Sequence, residues 1–243
     1  MIFDPEKTAR AAGKRRIAYL ESVGSTSTKL RELIACRAAG CGDVVAAARQ
    51  TAGRGRHGKS FSSERGGIYF SFAENNRDGA LVTVAAGVAV ANVLSSYGCD
   101  PEIKWVNDVL TGGKKVCGIL AEALSGTELC VIGIGINLLS SAIPAELRSV
   151  AGALDASLEK LPAPDELVGK TVAEYERLSK LPNGELIEQY KKRLKLLGGK
   201  IKRADSGEVL TAIDVSPSGE LIAEREDGES VRLNSGEISI LPL

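Results

Sequence analysis

Residues 50–61 read Gln50-Thr51-Ala52-Gly53-Arg54-Gly55-Arg56-His57-Gly58-Lys59-Ser60-Phe61. Residues 53–60 satisfy the phosphate-binding pattern G-x-x-x-x-G-K-[ST] to the letter. Taken at face value, that match would make the chain a strand–loop–helix nucleotide-binding fold. The pattern works only where a helix starts directly after Lys-Ser, so that its first N–H groups cradle phosphate oxygens. Here Ser60 is followed by FSSERGGIYFSF, in which a glycine pair precedes alternating Ile68, Phe70 and Phe72. Apolar alternation of period two marks a strand. The loop therefore joins strand to strand, and the P-loop fold is rejected.

The loop keeps its chemistry under that reading. No Asp or Glu occurs between residues 49 and 63, whereas Arg49, Arg54, Arg56, His57 and Lys59 all do. Glycines that let the backbone bend and approach, set among arginines, suit a phosphate-bearing ligand. A solvated basic hairpin would carry the same charge. Over all 243 residues, 31 Lys and Arg offset 31 Asp and Glu, so a broad electrostatic footprint for nucleic acid is absent. Local positive charge suits a small anion better. The five cysteines are odd in number and show no C-x-x-C spacing, which implies free thiols in a reducing cytoplasm. With His57 as the single histidine, zinc has almost no support. The N-terminus lacks an apolar signal core, and the longest apolar run, residues 82–94, is too short for a bilayer.

Upstream of the loop, residues 1–15 read as a loose tail or short helix, 17–21 as a short strand and 43–48 as a buried strand. Between the two strands, Gly24-Ser25-Thr26-Ser27-Thr28 opens a helix whose Leu30, Leu33 and Ile34 recur at helical spacing. Hydroxyls in that place cap helices and can equally contact a ligand. Downstream, 67–72 reads as a strand and 80–97 as a long central helix. Residues 103–110, IKWVNDVL, hold the only tryptophan, which fits core or contact, and Asn107-Asp108, which fits turn or site. Gly112-Gly113 predicts a hairpin into strand 115–122, KVCGILAE, where Lys115 stands at the mouth of an otherwise apolar run. Strand 128–138 follows, with Gly133 and Gly135 leaving room for something to pack close. Residues 144–197 read as largely helical, with helices at 165–178 and 184–197. Beyond 198, turn signals every eight to twelve residues, the last at Ser235-Gly236, predict a small β-barrel.

QTAGRGRHG, KWVNDV, KVCGILAE, VIGIGIN and the closing NSGEISI, in this order and spacing, resemble the biotin protein ligases over residues 17–243. The resemblance implies an α/β (α+β) chain. Its mixed-sheet catalytic domain, residues 1–197, would be akin to the class II aminoacyl-tRNA synthetase core, and an SH3-like barrel would span 198–243. It implies an enzyme that joins biotin to ATP, releases pyrophosphate, and passes biotin from biotinyl-5′-AMP to a lysine of a biotin carboxyl carrier protein. A cytoplasmic homodimer with Mg²⁺ is expected, with no DNA or membrane partner. Some family members carry an N-terminal DNA-binding domain, and too few residues precede Ile17 to hold one. The alternatives are a lipoate- or octanoate-transferring relative and, from a different class, a nucleic-acid binding module.

Carried over by motif, Ser25, Thr26 and Gln50 would hydrogen-bond the biotin rings, while Gly53 and Arg54 shape and cover that site. Gly118 would let its strand pass close to biotin. Lys115 would lie between the biotin carboxylate and the α-phosphate, and Arg56 would face the adenylate phosphate. Asn107 and Asp108 would sit at the nucleotide phosphates and magnesium, Asp108 as the metal ligand. Asn137 would lie near the nucleotide, and Phe61, where a tryptophan can stand, would cover the ligand. Val106 replaces the proline of the family's KWPND motif, and Ser27 an asparagine.

Overall fold

The structure, a computed structural model, describes residues 3–13, 15–75, 79–203, 205–234 and 240–242. Most of the closing NSGEISI motif, residues 235–239 with the Ser235-Gly236 turn, lies outside them. Helix α1 (Pro5–Ala11), capped by Asp4, leads into strand β1 (Ile17–Leu20). Helix α2 (Thr26–Ala35) then returns the chain to β2 (Val44–Ala47), which pairs parallel to β1. The basic loop follows and ends in β3 (Gly67–Asn75), antiparallel to β2. No helix succeeds Lys59-Ser60, in keeping with rejection of the P-loop. Helix α3 (Gly79–Ser96) precedes four antiparallel strands: β4 (Pro101–Lys104), β5 (Asp108–Thr111), β6 (Lys114–Ala123) and β7 (Leu129–Asn137). The sheet order is β1-β2-β3-β7-β6-β5-β4, so β3 and β7, far apart in sequence, pair at its centre.

The two sheet faces carry different loads. Phe70, Phe72, Ile132 and Ile136 point to the face covered by α3, α4 (Pro164–Leu178) and α5 (Asn183–Lys191). The opposite face holds a smaller cluster of Leu30, Val45, Ala73 and Val131 beneath α2. Because α3 is apolar on nearly every side, it must be buried on nearly every side. It extends past the 82–94 run to 18 residues, long and apolar enough by composition to cross a bilayer. Here it is the central core helix instead, with Val84, Ala86, Val88, Val90 and Leu94 fully buried.

Two segments depart from expectation. Residues 140–163 form three isolated 3₁₀ turns rather than helix. Their backbone is engaged with the sheet: Lys115 N–H donates to Val150 O at 3.0 Å, and Gly152 N–H to Lys115 O at 2.9 Å. Likewise α5 stops at Lys191, not 197, and the Arg193 carbonyl accepts from Ile103 N–H of edge strand β4 at 2.9 Å. In each case a carbonyl or N–H committed to the sheet is unavailable to a helix.

The remaining strands, β8 (Lys200–Arg203), β9 (Val209–Val215), β10 (Leu221–Glu224), β11 (Ser230–Leu233) and β12 (Ile240–Pro242), form a separate antiparallel sheet in the order β11-β10-β9-β8-β12. Its apolar residues, among them Ile201, Leu210, Val215 and Leu221, join the main core. A buried hydrogen bond from Trp105 Nε1 to Gly219 O, at 3.4 Å, ties this sheet to the KWVND segment.

Candidate active site

The basic loop crosses β6 and β7 on the α2 side of the sheet and encloses a cleft of about 280 Å³. That size suits a small molecule rather than a polymer. Its floor exists because glycines face each other across the strands, with Gly118 paired to Gly135. A Cβ on Gly118 would stand 2.7 Å from the Phe61 ring, and one on Gly135 only 2.6 Å from it. No ordinary side chain fits there, so the Phe61 ring rests directly on the sheet. Gly133 serves Ser27 in the same way, its imaginary Cβ lying 2.7 Å from Ser27 Oγ. Phe61 also meets Tyr69 edge-on, and Lys115 Nζ is 5.5 Å from the ring centre.

One end of the cleft is built from hydroxyls and an amide. Ser25 caps α2, its hydroxyl accepting weakly from Thr28 N–H, which turns Thr26 and Ser27 toward the sheet. Thr26 N–H donates to Gln50 Oε1 at 2.8 Å, which fixes the orientation of that amide. The Thr26 hydroxyl also donates to Gln50 Oε1 at 3.1 Å, so its oxygen must accept from Ser71 Oγ at 2.8 Å. Ser71, its one hydrogen spent, accepts in turn from Ser27 Oγ at 2.9 Å. On the other side Gln50 Nε2 donates to Ser63 Oγ, and Ser63 Oγ to Phe61 O. The chain of bonds leaves Thr26 with a free acceptor lone pair and Gln50 with one free N–H. A cyclic amide or urea offers the complementary pair.

The other end carries charge. Lys115 Nζ is 2.7 Å from Asp108 Oδ1, the only acid lining the cleft among the described residues. That oxygen is buried, and among the described residues no donor is aligned to hydrogen-bond it. Proximity without alignment makes this an ion pair that a better-placed anion can disrupt. Arg56 Nη1 donates to Asn107 Oδ1 at 3.4 Å, while Asn107 Nδ2 donates to Ile119 O at 2.9 Å. Burial draws the Arg56 pKa below its ordinary value, with nearby Asp108 opposing the shift. A partly desolvated guanidinium gains more from an arriving anion than one in water. Lys104, His57 and Lys59 complete the basic wall.

Ser25, Thr26, Gln50, Arg54, Arg56, Phe61, Asn107, Asp108, Lys115 and Gly118 thus line one cleft. Two residues expected there stand outside it. Gly53 shapes the loop from behind, since a Cβ would lie 2.4 Å from Phe61 O. Asn137 turns away, and its Nδ2 donates to Gly152 O at 3.0 Å. Reading the sequence alone missed Ser71, the hub of the hydroxyl chain. Its signal is a lone hydroxyl in the apolar strand IYFSF. Among the described residues no group of three or more metal-binding side chains occurs.

A glycine floor, a donor–acceptor pair at one end and paired cations at the other define a site for a small anion with a polar head. Residues 19–138 match the biotin/lipoate A/B protein ligase family. The chain is 28% identical to the biotin–[acetyl-CoA-carboxylase] ligase of Mycobacterium tuberculosis, over 93% of this chain and 90% of that protein. It is 35% identical to the bifunctional ligase/repressor BirA of Bacillus spizizenii over 60% of this chain, spanning 49%, about half, of that relative. The structure superposes on the biotin protein ligase from Aquifex aeolicus in complex with biotin and ATP with a TM-score of 0.83, at 28% identity, covering 93% of this chain and 99% of that one. For the Leishmania major enzyme in complex with biotinyl-5-AMP, the TM-score is 0.67 at 26% identity, over 90% and 98% of the two chains. Residues 19–138 are thus a domain of the biotin/lipoate A/B protein ligase family.

Proposed function

We propose that the chain is a biotin–protein ligase that forms biotinyl-5′-AMP from biotin and ATP and transfers biotin to a lysine of a carboxyl carrier protein. The observation that carries this reading is the polarity of the cleft beneath the basic loop. An acceptor on Thr26 and a donor on Gln50 face one end, matching a ureido N–H and C=O. Lys115, Arg56, Asn107 and Asp108 gather at the other, matching a carboxylate and phosphates.

Adenylation requires a carboxylate oxygen to attack the α-phosphorus while pyrophosphate departs with the bonding electrons. Both reactants are anions, so the protein's task is to hold them in line and neutralise their repulsion. Lys115 leaves Asp108 for the carboxylate and α-phosphate. Arg56 holds the phosphate of the adenylate, steadied by Asn107. Transfer then breaks the acyl–phosphate bond: the carrier amine attacks the carbonyl carbon, loses a proton, and AMP leaves. No nucleophilic side chain is needed. The buried Asp108 oxygen, without an aligned donor, fits a Mg²⁺ ion held mainly by nucleotide phosphates, as that ion commonly is. When bound, the ion would neutralise charge on the departing pyrophosphate.

The same reading takes residues 1–197 as the catalytic domain and 198–243 as an SH3-like barrel, supported by five short strands with turns between them. It takes the enzyme as a homodimer and as cytoplasmic, the compartment alone being in keeping with five free cysteines. The test is ATP–pyrophosphate exchange with biotin and lipoate in parallel. Exchange with biotin, followed by labelling of a carrier domain, is expected. Exchange with lipoate alone would move the assignment to the lipoate branch, and none with either would overturn it.

A further inference from the structure

Strand β6 alternates its faces, so Gly118, Leu120 and Glu122 share one. Gly118 and Leu120 line the cleft, and Glu122 continues the same floor just past its hydroxyl end. Two arginines from different elements converge on Glu122. Arg54 of the loop donates through Nη2 to Oε1 at 2.9 Å, and Nη2 of Arg31, on α2, is 2.5 Å from the buried Oε2. The loop itself is a compact unit: Gly55 N–H donates to Lys59 O, Lys59 N–H to Arg56 O, and Phe61 N–H to Gly53 O. At its base Thr51 and Ala52 N–H donate to Val23 O and Gly24 O at 2.9 and 2.7 Å; beyond that base residues 53–61 are bonded mainly to themselves, and side chains tie them to the body of the protein. Arg54 is the tie at the hydroxyl end, as Arg56 is at the charged end.

We propose that Glu122 is a positioning residue that latches the loop over the cleft through Arg54, with Arg31 holding the carboxylate aimed. This rests on the biotin ligase reading, in which Arg54 covers the bound rings. Arg31 has a physical purpose there. The ion pair with Arg31, close but without an aligned hydrogen bond, confines the carboxylate, so it loses less freedom when Arg54 arrives and closure costs less entropy. The Arg54 side chain is 45% exposed and that of Glu122 24%, so the latch is deliberately weak. An ion pair at such exposure is worth up to about a fivefold change in an equilibrium. That strength retains a ligand between turnovers and still lets the loop open.

The test is a double-mutant cycle in the full-length chain with Glu122→Gln, Arg54→Met and both together. Release of labelled biotin is followed after adding excess unlabelled biotin. Each single change should speed release by up to about fivefold, with the biotin KM rising more than kcat falls. The double variant should match the singles, because the second change removes a tie already lost. Arg31→Met should accelerate release less than Glu122→Gln, since the Arg54 pair survives; it also serves if Glu122→Gln does not fold. Additive effects, or release unchanged in Glu122→Gln, overturn the latch. Tryptic cleavage after Arg56 in the ligand-free chain reports the latch independently of substrate. Faster cleavage in Glu122→Gln supports it and equal cleavage overturns it, even if wild-type protein binds no biotin and the ligase reading is what fails.

Discussion

Replacing Lys115 by Ala should separate catalysis from stability. For catalysis, Lys115 is the cation at the junction of the two proposed anions, and removing one preorganised donor costs about 10²–10³ in rate, roughly 2.7–4 kcal/mol. Stability suffers for another reason. Lys115 Nζ is 2.7 Å from the buried Asp108 Oδ1, an oxygen to which no donor is aligned among the described residues, so this ion pair is its only compensation there. Truncation leaves that oxygen uncompensated, at a cost of about 1–3 kcal/mol. In a chain of this length each kcal/mol is worth about 2–4 °C of Tm, so a fall of roughly 2–12 °C is expected. Adding Asp108→Asn removes the orphaned charge and should recover most of that loss.

The two properties should therefore part company. Thermal melts of wild type, Lys115→Ala and Lys115→Ala/Asp108→Asn should show a fall and a recovery. Biotin-dependent pyrophosphate exchange in the same proteins should fall and stay low, since neutralising Asp108 does not restore a cation. Recovery of exchange in the double variant would refute the reasoning, because Lys115 would then act only by holding Asp108. Wild-type exchange in Lys115→Ala alone would refute it sooner.

Arg56→Gly should release the adenylate about 10- to 150-fold faster, the equivalent of losing a charged hydrogen bond. Biotin appearing on a bystander protein such as serum albumin checks this; an unlabelled bystander beside continuing pyrophosphate release would assign retention elsewhere. Gly118→Ala places a Cβ 2.7 Å from the Phe61 ring and should cost about 1–3 kcal/mol by overpacking, with weaker biotin binding. Unchanged melting and titration would mean the ring does not need that floor. At alkaline pH, burial raises the folded-state pKa of Tyr69, Tyr190 and Cys117, and that of Cys130 to about 11. The folded state then keeps protons that unfolded thiols release near 9.0 and phenols near 10.0. Stability should be intact below pH 9 and decline as pH rises toward 11, seen as a falling urea midpoint; a flat profile would contradict the burial. Biotin should protect the loop from trypsin at Arg54 and Arg56, and equal cleavage with and without it would exclude closure on binding.

Much of this molecule is legible from local pattern. Alternation in IYFSF and the apolar run in KVCGILAE marked two central strands, apolar residues on most sides marked α3, and turn residues at 198–199, 205–207, 217–219 and 227–228 preceded or joined the strands of the second sheet. These signals survive because helix and strand periods are properties of a few consecutive residues. The same locality limited the rest. Residues 144–163 carry no marker that Lys115 would take their backbone bonds, and Asn137 ends its strand without showing that its amide turns to Gly152. Ser71, Glu122 and Arg31 acquire their partners from strand order and register, with β3 beside β7 and α2 laid over both. The sequence by itself determined the strongly periodic elements and which chemical groups are available, but not the fate of residues 144–163 or the end of α5. Tertiary structure decided which groups meet, because pairing across a sheet depends on segments tens of residues apart, and neither period encodes that.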